Sequence, residues 1–211
     1  MIFIFLRKNN LRNLQKIIFI TAFCLGTVTL IISYSRAAWI VFAIGFLTAN
    51  FLIKNKKWHF RVFITLFIFS IVMPIVIGQN SRLVKGSLFE RSELISTSLT
   101  ILAKSPLTGV GLNNSLDLQY KLMPKNFGMF VFQPVHNGYL LLSEELGLIG
   151  LLFFLIFLYK QFEKMNKKNI EKFLPFFSVL LLSFFDHYIF TLQQGYLMFA
   201  FFAGLVFLEQ K

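Results

Sequence analysis

The residues best suited to chemistry begin at His136, in the run His136-Asn137-Gly138-Tyr139-Leu140-Leu141-Leu142-Ser143-Glu144-Glu145-Leu146-Gly147-Leu148-Ile149-Gly150. An imidazole titrates near neutral pH, so His136 is a candidate general base, and its ordinary alternative is a helix cap or a polar surface group. On a continuous helix turning about 100° per residue, Gly147 and Gly150 return to within roughly 40° of His136. One face would then carry a histidine at its mouth and a small-residue groove below, which suits close helix packing in lipid. Glu144 and Glu145 share this run, and a carboxylate inside an apolar span points to a bundle interior or a wet cavity. By the same angles Glu144 lies nearer the His136 face.

Two arginines offer anion chemistry. Arg36, in Ser35-Arg36-Ala37-Ala38-Trp39, is either an interfacial arginine lying beside Trp39 or a permanently charged fork for a phosphate or carboxylate. Arg91, in Phe89-Glu90-Arg91-Ser92-Glu93, either pairs with its acidic neighbours or joins Arg82 and Lys85 in a basic face that attracts an anionic headgroup or substrate. Asp186, His187, Gln193 and Gln194 form a further polar group that either bonds internally or lines the same outer cavity as His136. The turn-rich segment Ser105-Pro106-Leu107-Thr108-Gly109-Val110-Gly111-Leu112-Asn113-Asn114 has no following Gly-Lys-Ser/Thr and no preceding strand, so it reads as a structural corner and not as a nucleotide loop. The three histidines, His59, His136 and His187, are scattered along the chain and show no metal-ligand spacing, so neither a metal nor another cofactor is expected. Cys24 is the single cysteine, which excludes an internal disulfide.

The elements that must position these groups are membrane helices. With 56% hydrophobic residues and 29 phenylalanines in 211 residues, the chain is too apolar for a soluble domain. Its mean hydropathy is +0.70. The net charge of +12 does not indicate nucleic acid, because the basic residues lie between apolar runs of membrane length and not on one soluble face. Uncharged apolar stretches predict six spans, Ile17 to Tyr34, Ala37 to Ile53, Val62 to Ile77, Tyr139 to Tyr159, Phe173 to Phe190 and Thr191 to Leu208. Met1 to Leu6 is too short to span and reads as the end of a helix whose beginning is missing, so a fragment of a longer protein is expected.

Fourteen of the 21 basic residues fall in the connectors that six alternating spans place on one side, which the positive-inside rule makes cytoplasmic. Both termini are then cytoplasmic, and residues 78–135 form one large extracytoplasmic loop. Within it Leu88, Ile95, Leu99 and Leu102 recur at near-helical spacing, which predicts an amphipathic helix over Leu88 to Lys104 on the membrane surface. The expectation is an all-α integral membrane protein, residues 1–211 forming a single membrane domain.

Ser35-Arg36-Ala37-Ala38-Trp39, Arg91, Ser105-Pro106-Leu107-Thr108-Gly109-Val110-Gly111, and His136-Asn137 followed at fixed distances by Gly147 and Gly150 together resemble the O-antigen ligase and polymerase family of bacterial membrane proteins. The resemblance covers roughly Ile17 to Leu208, the C-terminal half of the usual family member. It implies metal-independent glycosyl transfer at the outer face of the plasma membrane, from a polyprenyl diphosphate-linked glycan to a sugar hydroxyl on a lipid or glycan acceptor. Carried over residue by residue, Arg36 and Arg91 would hold the diphosphate and His136 would orient or deprotonate the acceptor hydroxyl. Asn137, Glu144, Asp186 and Gln194 are the further candidates for substrate contact. A glycolipid transporter and a catalytically silent membrane subunit are the competing classes; a transporter would keep its polar groups at mid-depth.

Overall fold

The computed structural model describes residues 13–33, 35–52, 81–122, 133–163 and 170–208, and among them only helices and the turns joining them occur. The chain divides into two compact units, residues 1–76 and 77–211. In the first, α1 (Asn13–Ile32) and α2 (Arg36–Leu52) follow the first two expected spans closely. The Thr27 and Thr29 hydroxyls donate back to the carbonyls of Phe23 and Leu25, so neither carries an unmet donor in an apolar helix. Ser35 caps α2 by accepting the Ala38 N–H at 3.3 Å, and the Trp39 Nε1–H donates to the Leu30 carbonyl across the tight turn. The third expected span, Val62 to Ile77, lies outside the described residues.

The second unit contains α3 (Ser81–Lys104), α4 (Ser115–Leu122), α5 (Gly138–Glu163), α6 (Ile170–Leu182), the one-turn α7 (Tyr188–Thr191) and α8 (Gln193–Leu208). Among the described residues α5 alone is long and apolar enough to cross a membrane by itself, whereas α6 and α8 contribute shorter apolar helices. The expected span Phe173 to Phe190 is broken. Helix α6 stops at Leu182, residues 183–187 form a connector, and only then does α7 begin. The break is stabilised because the connector's carbonyls find donors elsewhere: Ser183 accepts the Gly138 N–H, Phe184 the Asn137 side-chain amide and Phe185 an Arg91 guanidinium N–H.

Packing is dominated by phenylalanine. Phe173 and Phe176 on α6 pack with Leu158 of α5 and Ala203 and Val206 of α8, while Leu141, Leu142, Val179, Ile189 and Phe190 close the end nearer His136 around Leu94 of α3. Phe154 meets Phe190 edge-on at 5.7 Å, which joins the two groups. Helix α3 includes the expected amphipathic stretch but buries a different face. Leu94, Thr97, Ser98 and Ile101 are buried, whereas Ile95 and Leu99 of the sequence-legible stripe stay exposed. A polar contact selects that face, since Ser98 donates to the buried Glu144 carboxylate.

Helix α5 is not continuous. Gly147 adopts φ 69° and ψ −178°, a conformation in effect restricted to glycine, and the helix breaks there. Residues 106–111 of the turn-rich segment enter the break. Val110 and Gly111 donate to the carbonyls of Glu144 and Glu145 at 2.9 Å each, while Leu148 and Ile149 donate to the carbonyls of Pro106 and Leu107 at 2.8 and 3.2 Å. The four backbone groups released by the break are thus satisfied by the turn. The glycine spacing read from sequence as a helix-packing groove is corrected by this break: the angles around a continuous helix do not apply, and His136 itself precedes α5. A Cβ at Gly147 would overlap the Leu107 carbonyl, and one at Gly109 the Glu145 carbonyl. Gly147→Ala is therefore expected to cost at least about 3 kcal/mol from backbone strain and overlap together. Thermal unfolding in detergent measures it, with Gly204→Ala as comparison because a Cβ there meets nothing within 4 Å, and an unchanged midpoint for Gly147→Ala would refute the account.

Candidate active site

The polar groups of the second unit gather around the connector 183–187. His136 stands just before α5 with its side chain 13% exposed, and its Nδ1 lies 3.4 Å from Asp186 Oδ1. Asp186 Oδ1 also accepts the His187 backbone N–H at 2.8 Å. Asp186 Oδ1 thus faces one donor from each histidine. An ionised carboxylate can only accept, so the His136 Nδ1–H is the donor and Nε2 of the neutral ring carries the lone pair. A basic nitrogen is thereby oriented by a carboxylate, the arrangement that proton transfer requires.

Arg91 reaches the same connector from α3, its Nη1–H donating to the Phe185 carbonyl at 3.4 Å, one residue before Asp186. The fold therefore brings together three residues far apart in sequence, Arg91, His136 and Asp186. His187 completes the group, its ring centroid 5.4 Å from that of His136.

The remaining candidates have other surroundings. Asn137 caps α5, its Oδ1 accepting the Leu140 N–H at 2.9 Å while its amide bonds Phe184, so both ends of the side chain hold structure. Glu144 lies about two turns down α5 from His136 and is bound by Ser98. Glu145 accepts from the Asn113 N–H and the Ser115 hydroxyl at 3.0 and 2.9 Å. These buried carboxylates hold α3, α4 and the turn to α5. Gln194 is exposed in the first turn of α8, and Arg36 opens α2 in the first unit. Sequence reasoning missed Ser98, Asn113, Ser115 and Thr191; small polar residues among charged ones carry no pattern that singles them out.

Contrary to the scatter of histidines in sequence, His136, Asp186 and His187 offer three possible ligand atoms, spread over as much as 4.8 Å.

One helix of membrane length, two shorter apolar helices and an Arg-His-Asp cluster at a helix mouth are the features of the second unit. The chain belongs to the O-antigen ligase family, whose profile matches residues 19–155. The match includes Arg36, Arg91, the 105–111 turn, His136 and Gly147, whereas Asp186 and His187 lie beyond it. The family is integral to the inner membrane and acts in polysaccharide biosynthesis on lipid-linked glycans. Comparison with curated proteins and with solved structures returns no match.

Proposed function

We propose that the chain carries the acceptor-activating site of an O-antigen ligase-like glycosyl transfer, from a polyprenyl diphosphate-linked glycan to a sugar hydroxyl at the outer face of the inner membrane. The observation that supports it most strongly is the joint held by the connector, where Asp186 orients His136 and Arg91 stands one residue away. In this reading the acceptor hydroxyl gives its proton to His136 Nε2 as its oxygen bonds to the anomeric carbon. The bond from that carbon to the diphosphate oxygen breaks, and the electron pair leaves with the polyprenyl diphosphate. Charge grows on the leaving group, and a guanidinium at the site stabilises it without a metal. Asp186 keeps Nε2 as the basic nitrogen and stabilises the imidazolium that forms.

The membrane arrangement belongs to the same proposal: six spans, both termini cytoplasmic, and residues 78–135 extracytoplasmic. The His136, Asp186 and Arg91 cluster at a helix mouth supports an enzyme over a transporter, since the deeper carboxylates Glu144 and Glu145 accept from Ser98, Ser115 and the Asn113 N–H that join the helices. Arg36 is assigned to the diphosphate on its Ser35-Arg36 motif alone and is tested by its own substitution.

Transfer is measured in membranes lacking the native enzyme, using the full coding sequence at matched expression. His136→Ala is expected to lower the rate by about 10²-fold to 10⁴-fold. Arg91→Ala and Arg36→Ala should each cost about 10²-fold to 10³-fold, and Asp186→Asn about 10-fold to 100-fold. The length pattern of the product tells attachment of finished chains from polymerisation. Full activity in His136→Ala and Arg91→Ala would overturn the assignment.

A further inference from the structure

Resting on that reading, the surroundings of Asp186 raise a question of competition, because two imidazoles face one carboxylate oxygen. His136 Nδ1 is 3.4 Å from Asp186 Oδ1 and His187 Nε2 is 3.8 Å from it. A His187 ring protonated on Nε2 would donate to Asp186 and take the carboxylate from His136. Thr191 prevents this. Its hydroxyl donates to the His187 carbonyl at 3.3 Å, which leaves its oxygen free to accept the His187 Nδ1–H at 2.8 Å. With the Thr191 hydroxyl proton on that carbonyl, the single proton of a neutral His187 ring sits on Nδ1. Nε2 is left as a lone pair, buried, aimed at Asp186 and without a hydrogen-bond partner. A buried acceptor facing a carboxylate is costly, and such an atom calls for an explanation.

We propose that His187, locked by Thr191 in its Nδ1–H tautomer, is a positioning residue that reserves the Asp186 carboxylate for His136. The unmet lone pair is the consequence of this selectivity. The His187 side chain is 6% exposed and closes one side of Asp186 without competing for it. Its backbone N–H meanwhile fills a second lone-pair direction of Oδ1. Only His136 remains able to donate along the direction that leaves its own Nε2 toward the acceptor hydroxyl. Thr191 touches neither substrate nor His136 and acts entirely through the His187 ring.

The test uses the full coding sequence in the same transfer assay. Thr191→Val keeps the side-chain shape and removes the acceptor, freeing His187 to turn its proton toward Asp186. It is expected to lower kcat about 10-fold with KM changed less than about 2-fold, and Thr191→Ser should restore kcat. His187→Phe keeps a ring beside Asp186 but cannot compete, so it should lose only about 3-fold. The double variant should match His187→Phe and not fall further. Additive losses in the double variant, or unchanged kcat in Thr191→Val, would overturn the proposal. So would loss of wild-type transfer on chelation with recovery on added zinc, since the facing lone pairs would then hold a cation. Failure of His136→Ala to reduce transfer, by contrast, sinks the functional reading itself. In that event nitrogen chemical shifts of histidine-labelled protein still decide the tautomer: Nδ1–H at His187 in the wild type and Nε2–H in Thr191→Val are expected, and Nε2–H in the wild type would refute the lock.

Discussion

The second unit depends on one exchange of backbone hydrogen bonds, the filling of the break in α5 by residues 106–111. A helix interrupted in an apolar setting exposes carbonyls on one side of the gap and N–H groups on the other, each costly if left unmet. Here Glu144 and Glu145 accept from Val110 and Gly111, and Leu148 and Ile149 donate to Pro106 and Leu107. The approach is close enough that Gly109 and Gly147 lie with their backbones nearly in contact. Once that contact forms, the position of α3 follows, because Ser105 continues directly from its last turn and binds Gly109 through both backbone and side chain. Ser98 then lies beside Glu144, and Arg91, about two turns earlier, comes level with the mouth of α5.

The two kinds of carboxylate in this unit differ in what surrounds their oxygens. Glu144 and Glu145 are buried and bound by hydroxyls and a backbone N–H. Their role is to join α3 and α4 to α5. Asp186 is bound by an imidazole, and it sits on a connector held by its carbonyls and not by helix geometry. A connector pinned through Ser183, Phe184 and Phe185 presents Asp186 as firmly as a helix would, but in a direction that a helix continuing from α6 would not supply.

Much of this was legible in the sequence where the signal was local. The apolar stretches located α1, α2, α5, α6 and α8, whereas the connector that carries Asp186 and His187 was read as part of one span, Phe173 to Phe190. The spacing from His136 to Gly147 was recognisable as a motif, yet its physical meaning was not, because angles around an ideal helix assume the continuity that Gly147 ends. Likewise the stripe Ile95 and Leu99 was visible, but burial followed Leu94 and Ser98. A serine gains a place in the interior only through a partner 46 residues away, and hydropathy along one helix carries no record of it. Asn137 and Glu144 were conspicuous by type and position, and both are consumed by structural bonds that only the folded chain reveals.

Polarity at a helix mouth is therefore a weak guide to chemistry until each atom's partners are counted. In this unit the count separates residues cleanly: Asn137 has donor and acceptor engaged, Glu144 and Glu145 hold structural donors, and Arg91 spends one N–H on a carbonyl while four of its five donors are left for other groups. His136 commits Nδ1 to Asp186, which leaves Nε2 as its working atom, and His187 commits the same nitrogen to Thr191. Two histidines of like type, one carboxylate between them, thus receive different tasks from the hydrogen-bond partner at Nδ1. Where that partner is a carboxylate, it orients the ring across the connector; where it is a hydroxyl, it ties the ring to its own helical turn. A threonine one turn along a four-residue helix is enough to make that distinction, because it decides which nitrogen holds the only proton of a neutral imidazole.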